Sequence, residues 1–432
     1  MKEQTSNHFE HMKDPRNIIL GIQHLLAMYA GAVIVPLIVA SALKMTIAQT
    51  TYLVAADIMM SGLATFLQVY RGRYIGIGLP VVLACTFTAV SPMIHIGQTK
   101  GIGVMYGAVF VSGLVVMLLA PIFAKLNRFF PPVVMGSVVT LIGVTLMPVA
   151  MNHIAGGQGV KDFGSLKNLA VAFLTFLVIL CLYRFSKGFL QSIAILIGLL
   201  LGTLASAALG MVDLSPIAEA HWVQLPSPFH LSTFKFDFPS IVTMSIVAIV
   251  SIIESTGVYY VLGDITKQAI KEEDLRRGYL SEGLAVMLGA LVNTFPYTTY
   301  SQNVGLIQMS GVKKRAVMFN MVILMLLAGS IPKIGALATI IPQPVLGGAM
   351  LCMFGSVLAY GIKMLGQVNQ DDSSNMMIIA CSVGIGLGVT AVPGVFAQLP
   401  DSLSWITGSG IVLGTITAVV LNLFFHGCRS EK

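Results

Sequence analysis

From Ile18 to Val39 the chain carries no Asp, Glu, Lys or Arg, and comparable apolar runs recur to its far end. A helix rises about 1.5 Å per residue, so about 20 such residues cross the hydrocarbon core of a bilayer. Repeated runs of that length fit a bundle of membrane-crossing helices and little else. Composition agrees, because 56% of the residues are hydrophobic and 10% are charged, against about 25% charged in a soluble domain. That shortage of charge excludes a soluble multidomain enzyme, a disordered chain and a nucleic-acid binder, despite the net charge of +7. The first run ends at Ala40-Ser41-Ala42, which resembles a signal-peptidase site. It is too long for a signal h-region, so it reads as a span and not as a cleaved leader. Cys85, Cys181, Cys352, Cys381 and Cys428 show no CxxC or Cys/His spacing, so neither a disulfide framework nor a metal site is expected.

Fourteen segments are predicted, near 18–42, 50–69, 79–97, 101–124, 132–150, 167–184, 189–210, 239–262, 277–295, 296–311, 315–331, 335–358, 375–392 and 404–426. The stretch 212–238, with Trp222 and several prolines, reads as an exposed or interfacial loop. Placing the N-terminus inside puts 19 of the 25 Lys and Arg residues on the cytoplasmic side. They include Arg71, Arg73, Lys125, Arg128, Arg276, Arg277, Lys313, Lys314 and Arg315. The other 6, Lys44, Lys100, Lys161, Lys167, Lys235 and Lys333, fall outside. The positive-inside rule therefore places both termini in the cytoplasm.

Leu126-Asn127-Arg128-Phe129-Phe130-Pro131-Pro132-Val133-Val134-Met135-Gly136 opens the fifth segment, and Ile341-Pro342-Gln343-Pro344-Val345-Leu346-Gly347-Gly348 opens the twelfth. One offset aligns Pro132 with Pro344, Val133 with Val345, Gly136 with Gly348 and Gly143 with Gly355. Leu79-Pro80 and Phe295-Pro296 precede the third and tenth segments in the same way. Seven spans per copy is an odd number, so the second copy must enter the membrane upside down. Inverted repeats of this kind mark secondary transporters.

Pro80 to Ala89 and Pro296 to Ser301 are rich in β-branched and aromatic residues, among them Val81, Val82, Thr86, Thr88, Tyr297, Thr298, Thr299 and Tyr300. Such residues favour extended backbone. Extended backbone at membrane depth survives only where it faces protein or a cavity. Two such stretches in matching halves point to a shared substrate site fed by half-helices.

Ionisable residues within spans are functional candidates by default. Glu254 interrupts the apolar run Ile246 to Leu262, and no Lys or Arg lies within a span to pair with it. Glu282 lies five residues beyond Arg277, so either a deep position or an interfacial pairing with Arg276 or Arg277 fits. His24 serves equally well as a buried architectural contact or as a ligand contact. Asp57 is expected in helix packing or hydrogen bonding. Ser301-Gln302-Asn303-Val304-Gly305 brings two amides, each offering donors and an acceptor in one plane, to the start of a half-helix. That pattern suits the edge of a planar heterocycle, whereas a helix cap would account for Asn303 alone.

Gln302 to Gly311, Gln-Asn-Val-Gly-Leu-Ile-Gln-Met-Ser-Gly, resembles the signature of the nucleobase–ascorbate transporter family, also called nucleobase:cation symporters. Ser310 stands where that family usually has Thr. Gln23-His24, Glu254 and Ser281-Glu282-Gly283-Leu284 look like further marked positions, and the opening Gln-His-Leu-Leu-Ala-Met-Tyr-Ala-Gly is similar to bacterial xanthine and urate permeases.

The resemblance implies an all-α polytopic membrane protein of two inverted seven-span repeats, with short extended strands in spans 3 and 10. It implies a core domain (1–124 and 239–331) and a gate domain (125–211 and 332–432), with 212–238 as the outer loop. It further implies a homodimer in the plasma membrane, working by elevator-like movement of the core. Glu254 and Gln302 would hold the base, Thr86-Phe87 would supply strand backbone and an aromatic face, and Ser301 a backbone contact. Glu282 would support proton coupling, with or instead of Glu254, or site geometry, while Asn303 and His24 would shape affinity and selectivity. Gln302, where uracil-type members tend to carry Glu, favours an oxopurine such as xanthine or urate. A uracil or inorganic-anion carrier on the same fold, and a channel or sensor without coupled transport, are the alternatives. No cofactor, metal or nucleic-acid partner is expected, and no cage of clustered carboxylates and hydroxyls suggests sodium, so the proton is the expected coupling ion.

Overall fold

The structure, a computed structural model, describes residues 12–126, 131–157, 159–310, 312, 314–399, 407 and 409–427. Of the residues singled out above, Asn127 to Phe130, Gly311, Lys313 and Cys428 lie outside these, as do the side chains of Lys125, Leu126 and Ser310.

The first half comprises α1 (Pro15–Ala42), α2 (Ile47–Val69), β1 (Leu83–Cys85), α3 (Val90–Lys100), α4 (Ile102–Leu126), α5 (Pro132–Thr145), α6 (Met147–Ile154), α7 (Leu166–Phe185) and α8 (Ala194–Ala208). The second comprises α9 (Phe238–Thr266), α10 (Glu272–Leu291), β2 (Tyr297–Thr299), α11 (Gln302–Ser310), α12 (Arg315–Gly329), α13 (Pro332–Thr339), α14 (Gln343–Leu365), α15 (Ser373–Ala391) and α16 (Gly410–His426). Among the described residues eight helical stretches are long and apolar enough to cross a membrane, α5 and α6 counting as one. The bent pair α12–α13 makes a ninth, and α8 and α16 are shorter apolar helices. The protein is a mostly helical, polytopic membrane protein.

Helix starts follow from side chains that satisfy the free N–H groups of a first turn. Asp14 caps α1, Thr46 and Gln49 form a capping box on α2, and Asp237 and Asp372 cap α9 and α15. Prolines set several other starts, because a residue without an N–H suits only the first turn. One expected segment differs from the structure here. The stretch 335–358 is not one helix, because Pro342 and Pro344 open α14 while α13 bends 79° away from α12.

The helices pack in two groups. In one, α4 lies against α9 and α10, while α12 lies against α1 and α2. In the other, α14 lies against α5, α6 and α7, and α15 and α16 pack on each other and on α5. Lipid offers no hydrophobic drive between helices, so close backbone approach matters. Gly113 of α4 and Gly283 of α10 meet face to face, and a Cβ on either would lie within 2.8 Å of the other's carbonyl oxygen. Gly136 and Gly143 of α5 face Leu365 and Leu358 of α14, so this pair runs antiparallel. Large apolar side chains such as Leu118, Phe173 and Leu204 point outward, as lipid contact requires.

The stretch 212–238 is irregular apart from the turn Ser215–Glu219, with Trp222 exposed. It is laced to the first group: the Phe229 N–H donates to the Leu291 carbonyl, Asn293 Oδ1 accepts from Leu231 and Ser232, and Lys100 pairs with Asp237 at 2.7 Å.

Candidate functional site

The two expected extended stretches contain β1 and β2, which pair antiparallel with Leu83 opposite Thr299, Ala84 opposite Thr298 and Cys85 opposite Tyr297. Flanking bonds run from the Thr86 N–H to the Pro296 carbonyl (3.0 Å) and from the Tyr300 N–H to the Val82 carbonyl (2.8 Å). Short strands inside a helical bundle need partners for their remaining backbone groups. Thr65 of α2 supplies two for β1, its hydroxyl accepting from the Leu83 N–H (3.0 Å) and lying 3.3 Å from the Leu83 carbonyl. Ser255 of α9 serves β2, contacting the Thr298 hydroxyl at 2.9 Å and accepting from the Thr299 hydroxyl at 3.1 Å.

Where the strands end, a turn at Phe87–Ala89 leads into α3, and Ser301 leads into α11. The N-terminal ends of both helices, which carry partial positive charge, thus follow directly on the paired strands. A cavity at this point is lined by Thr86, Phe87, Glu254, Tyr300, Ser301 and Gln302, and from the second helix group by Val139, Ile142 and Val357. Among the described residues the Glu254 carboxylate has no hydrogen-bond partner, and no Lys or Arg lines the cavity. Phe87 is fixed edge-on against Phe354 of α14, ring centres 5.6 Å apart at 83°. The Thr86 hydroxyl is engaged locally with Thr88, accepting from its N–H and bonding its hydroxyl at 3.0 Å. Thr86 therefore presents backbone more than side chain to the cavity.

Tyr300 and Gln302 also border a wider vestibule of about 280 Å³, with Tyr183, Gln191, Asn303 and Met353 in its wall. Asn303 is itself buried, and its Oδ1 meets Nδ1 of the buried His24 at 2.6 Å. The pair ties α11 to α1.

Glu282 stands apart from the cavity. It is buried, the Tyr259 hydroxyl donates to its Oε1, and Gln68 Nε2 donates to Tyr259 Oη at 2.6 Å. Neither arginine reaches it, because Arg277 pairs with Asp274 and Arg276 with Glu273. Sequence reasoning did not find Gln68, Tyr259 or the vestibule residues Tyr183 and Gln191. Each is an ordinary residue in an apolar run, and nothing local marks it. Ser255 stood beside Glu254 in the sequence, and its position one residue round the helix turns it toward β2.

The residues can thus present a carboxylate, a primary amide, an aromatic ring and strand-end backbone to one small polar planar molecule. Comparison with known proteins places the chain in a family. Residues 15–395 match a family model described as Permease family. Over 417 residues the chain is 55% identical to the xanthine permease of Bacillus subtilis (strain 168), covering 96% of this chain and 95% of that one. It is 53% identical over 419 residues to the uric acid permease PucK of the same organism, covering 96% and 97%. Among solved structures it resembles the transmembrane domain of a cyanobacterial bicarbonate transporter, BicA, with a TM-score of 0.62, 15% identity and coverage of 94% and 97%. That likeness concerns the fold alone. The chain belongs to the nucleobase–ascorbate transporter family of permeases and is a transporter, not an enzyme.

Proposed function

We propose that this protein is a secondary active transporter that takes up xanthine, or a closely related oxopurine such as urate, together with a proton. The observation that carries the reading is the crossed-strand cavity, where the unpartnered Glu254 carboxylate and the Gln302 amide face one space beside Phe87. An oxopurine edge alternates N–H and C=O groups, and a carboxylate with an amide complements both. An inorganic anion would call for cationic or all-backbone walls, and the cavity has a carboxylate instead. The relatives named xanthine and uric acid permeases support the same substrate class.

The mechanism we infer is elevator-like. The cavity lies between the two helix groups, which supports a division into a core (1–124 and 239–331) that carries substrate and a gate (125–211 and 332–432). The one change to these bounds is α13, which packs on α2 and so moves the core's second boundary from 331 to 339. The nine long spans, α8, α16, α10 and the two strand-plus-helix units account for the fourteen segments of two inverted repeats. The antiparallel β1–β2 and α5–α14 pairs support the inversion. With both termini cytoplasmic, the vestibule beside Tyr183 opens inward. Assembly as a homodimer in the plasma membrane, and Glu254 and Glu282 as the coupling carboxylates, complete the proposal.

The test is uptake of labelled xanthine by a host lacking its own purine carriers, with unlabelled urate, hypoxanthine, guanine and uracil as competitors. Xanthine should accumulate, with urate competing better than uracil. If no base accumulates and none competes, the reading is wrong.

A further inference from the structure

We propose that Asp57 and Tyr297 form a pin that positions β2, making Asp57 a positioning residue for substrate recognition although it lies outside the cavity. The proposal rests on the transport reading above. Asp57 sits on α2 and is fully buried, and its Oδ1 accepts from the Tyr297 hydroxyl at 2.9 Å. Tyr297 heads β2, opposite Cys85 of β1. Its ring enters space that only a glycine leaves open, since a Cβ on Gly289 of α10 would lie 2.6 Å from the ring. The strand is thereby keyed between α2 and α10 at its first residue. Four residues on, at about 3.3 Å per residue, the same stretch delivers Ser301 and Gln302 to the cavity.

Satisfying Tyr297 does not require Asp57. A phenol has one hydrogen to give, and Thr294 Oγ1 also stands 2.9 Å from the Tyr297 hydroxyl. The carboxyl's Oδ2 meanwhile has no N–H or O–H partner among the described residues, and the weakly polar Cys85 thiol of β1 lies beside the carboxyl instead. A buried carboxyl with so weakly partnered an oxygen is destabilising, so packing alone does not account for it. What Asp57 adds is a fixed tie from β2 to α2, the helix whose Thr65 also holds β1. One helix thus registers both strands of the site.

The test uses the full chain reconstituted in liposomes. Tyr297→Phe keeps the ring against Gly289 and removes only the hydroxyl. It should raise KM for xanthine uptake about tenfold, the scale of one lost hydrogen bond to a carboxylate, with Vmax per inserted protein little changed. Asp57→Ala should do the same, the double variant should be no worse than the poorer single one, and Asp57→Asn, which keeps the accepting oxygen, should recover most of the affinity. Wild-type KM in Tyr297→Phe, additive losses, or an Asp57→Asn as impaired as Asp57→Ala would overturn the pin. If Asp57→Ala does not insert, the other two variants decide. A second readout needs no substrate: Tyr297→Phe should change the thiol-labelling rate of Ser301→Cys, measured above the parent's background. If the wild type carries no purine, the transport reading falls, and an unchanged labelling rate rejects the pin separately.

Discussion

Glu254 and Glu282 lie on neighbouring helices in opposite circumstances. Among the described residues Glu254 faces the cavity without a hydrogen-bond partner, whereas Glu282 is buried and accepts from the Tyr259 hydroxyl. The proposed mechanism gives them separable roles. Glu254→Gln preserves shape and hydrogen bonding but removes the titrating proton, so it should abolish accumulation while leaving measurable xanthine binding. Glu282→Gln should flatten the pH dependence of uptake more than it weakens binding. Binding and uptake measured across pH in both variants check this, and wild-type accumulation with wild-type pH dependence in the double variant would remove carboxylates from the mechanism. Glu254 was legible in the sequence because a lone acid in an apolar run has no local partner. Glu282 was ambiguous because arginines stand nearby in sequence, and its actual partner comes from another helix. His24 and Asn303, 279 positions apart, could be named singly but not paired, since only the fold brings α1 to α11.

At the scale of elements, glycine decides which helices can touch the strands. A Cβ on Gly31 of α1 would lie 2.2 Å from the Tyr300 hydroxyl, while one on Gly305 of α11 meets nothing within 4 Å. Gly31→Ala should therefore displace the end of β2, at about 1–3 kcal/mol of overpacking, and cut xanthine affinity. Gly305→Ala should be tolerated, and removing a helical glycine should raise thermal stability slightly. Uptake kinetics and melting temperatures of the two variants check the contrast, and equal effects would contradict it. The strands themselves were readable, because β-branched and aromatic residues after a proline are unusual within spans. The break between α13 and α14 was not, because hydropathy runs on through the expected segment 335–358 and only Pro342 and Pro344 hinted at it.

For the whole molecule, the asymmetry of Lys and Arg predicts a definite sidedness. An impermeant thiol reagent added to intact cells should leave Lys314→Cys unlabelled and reach it only after permeabilisation, and labelling from outside would overturn the topology. Long spans were countable from hydropathy alone. The short strand-plus-helix units and α10 were marked at 79–97, 296–311 and 277–295 as well, although their short helices and the charged first turn of α10 set them apart from the long apolar spans. The central claim is that the crossed-strand cavity serves coupled oxopurine transport, and accumulation in proteoliposomes tests it most directly. With the lumen made alkaline relative to the outside, labelled xanthine should rise above its external concentration and fall back when a protonophore collapses the gradient. Xanthine that merely equilibrates across the membrane, indifferent to the gradient, would contradict the account.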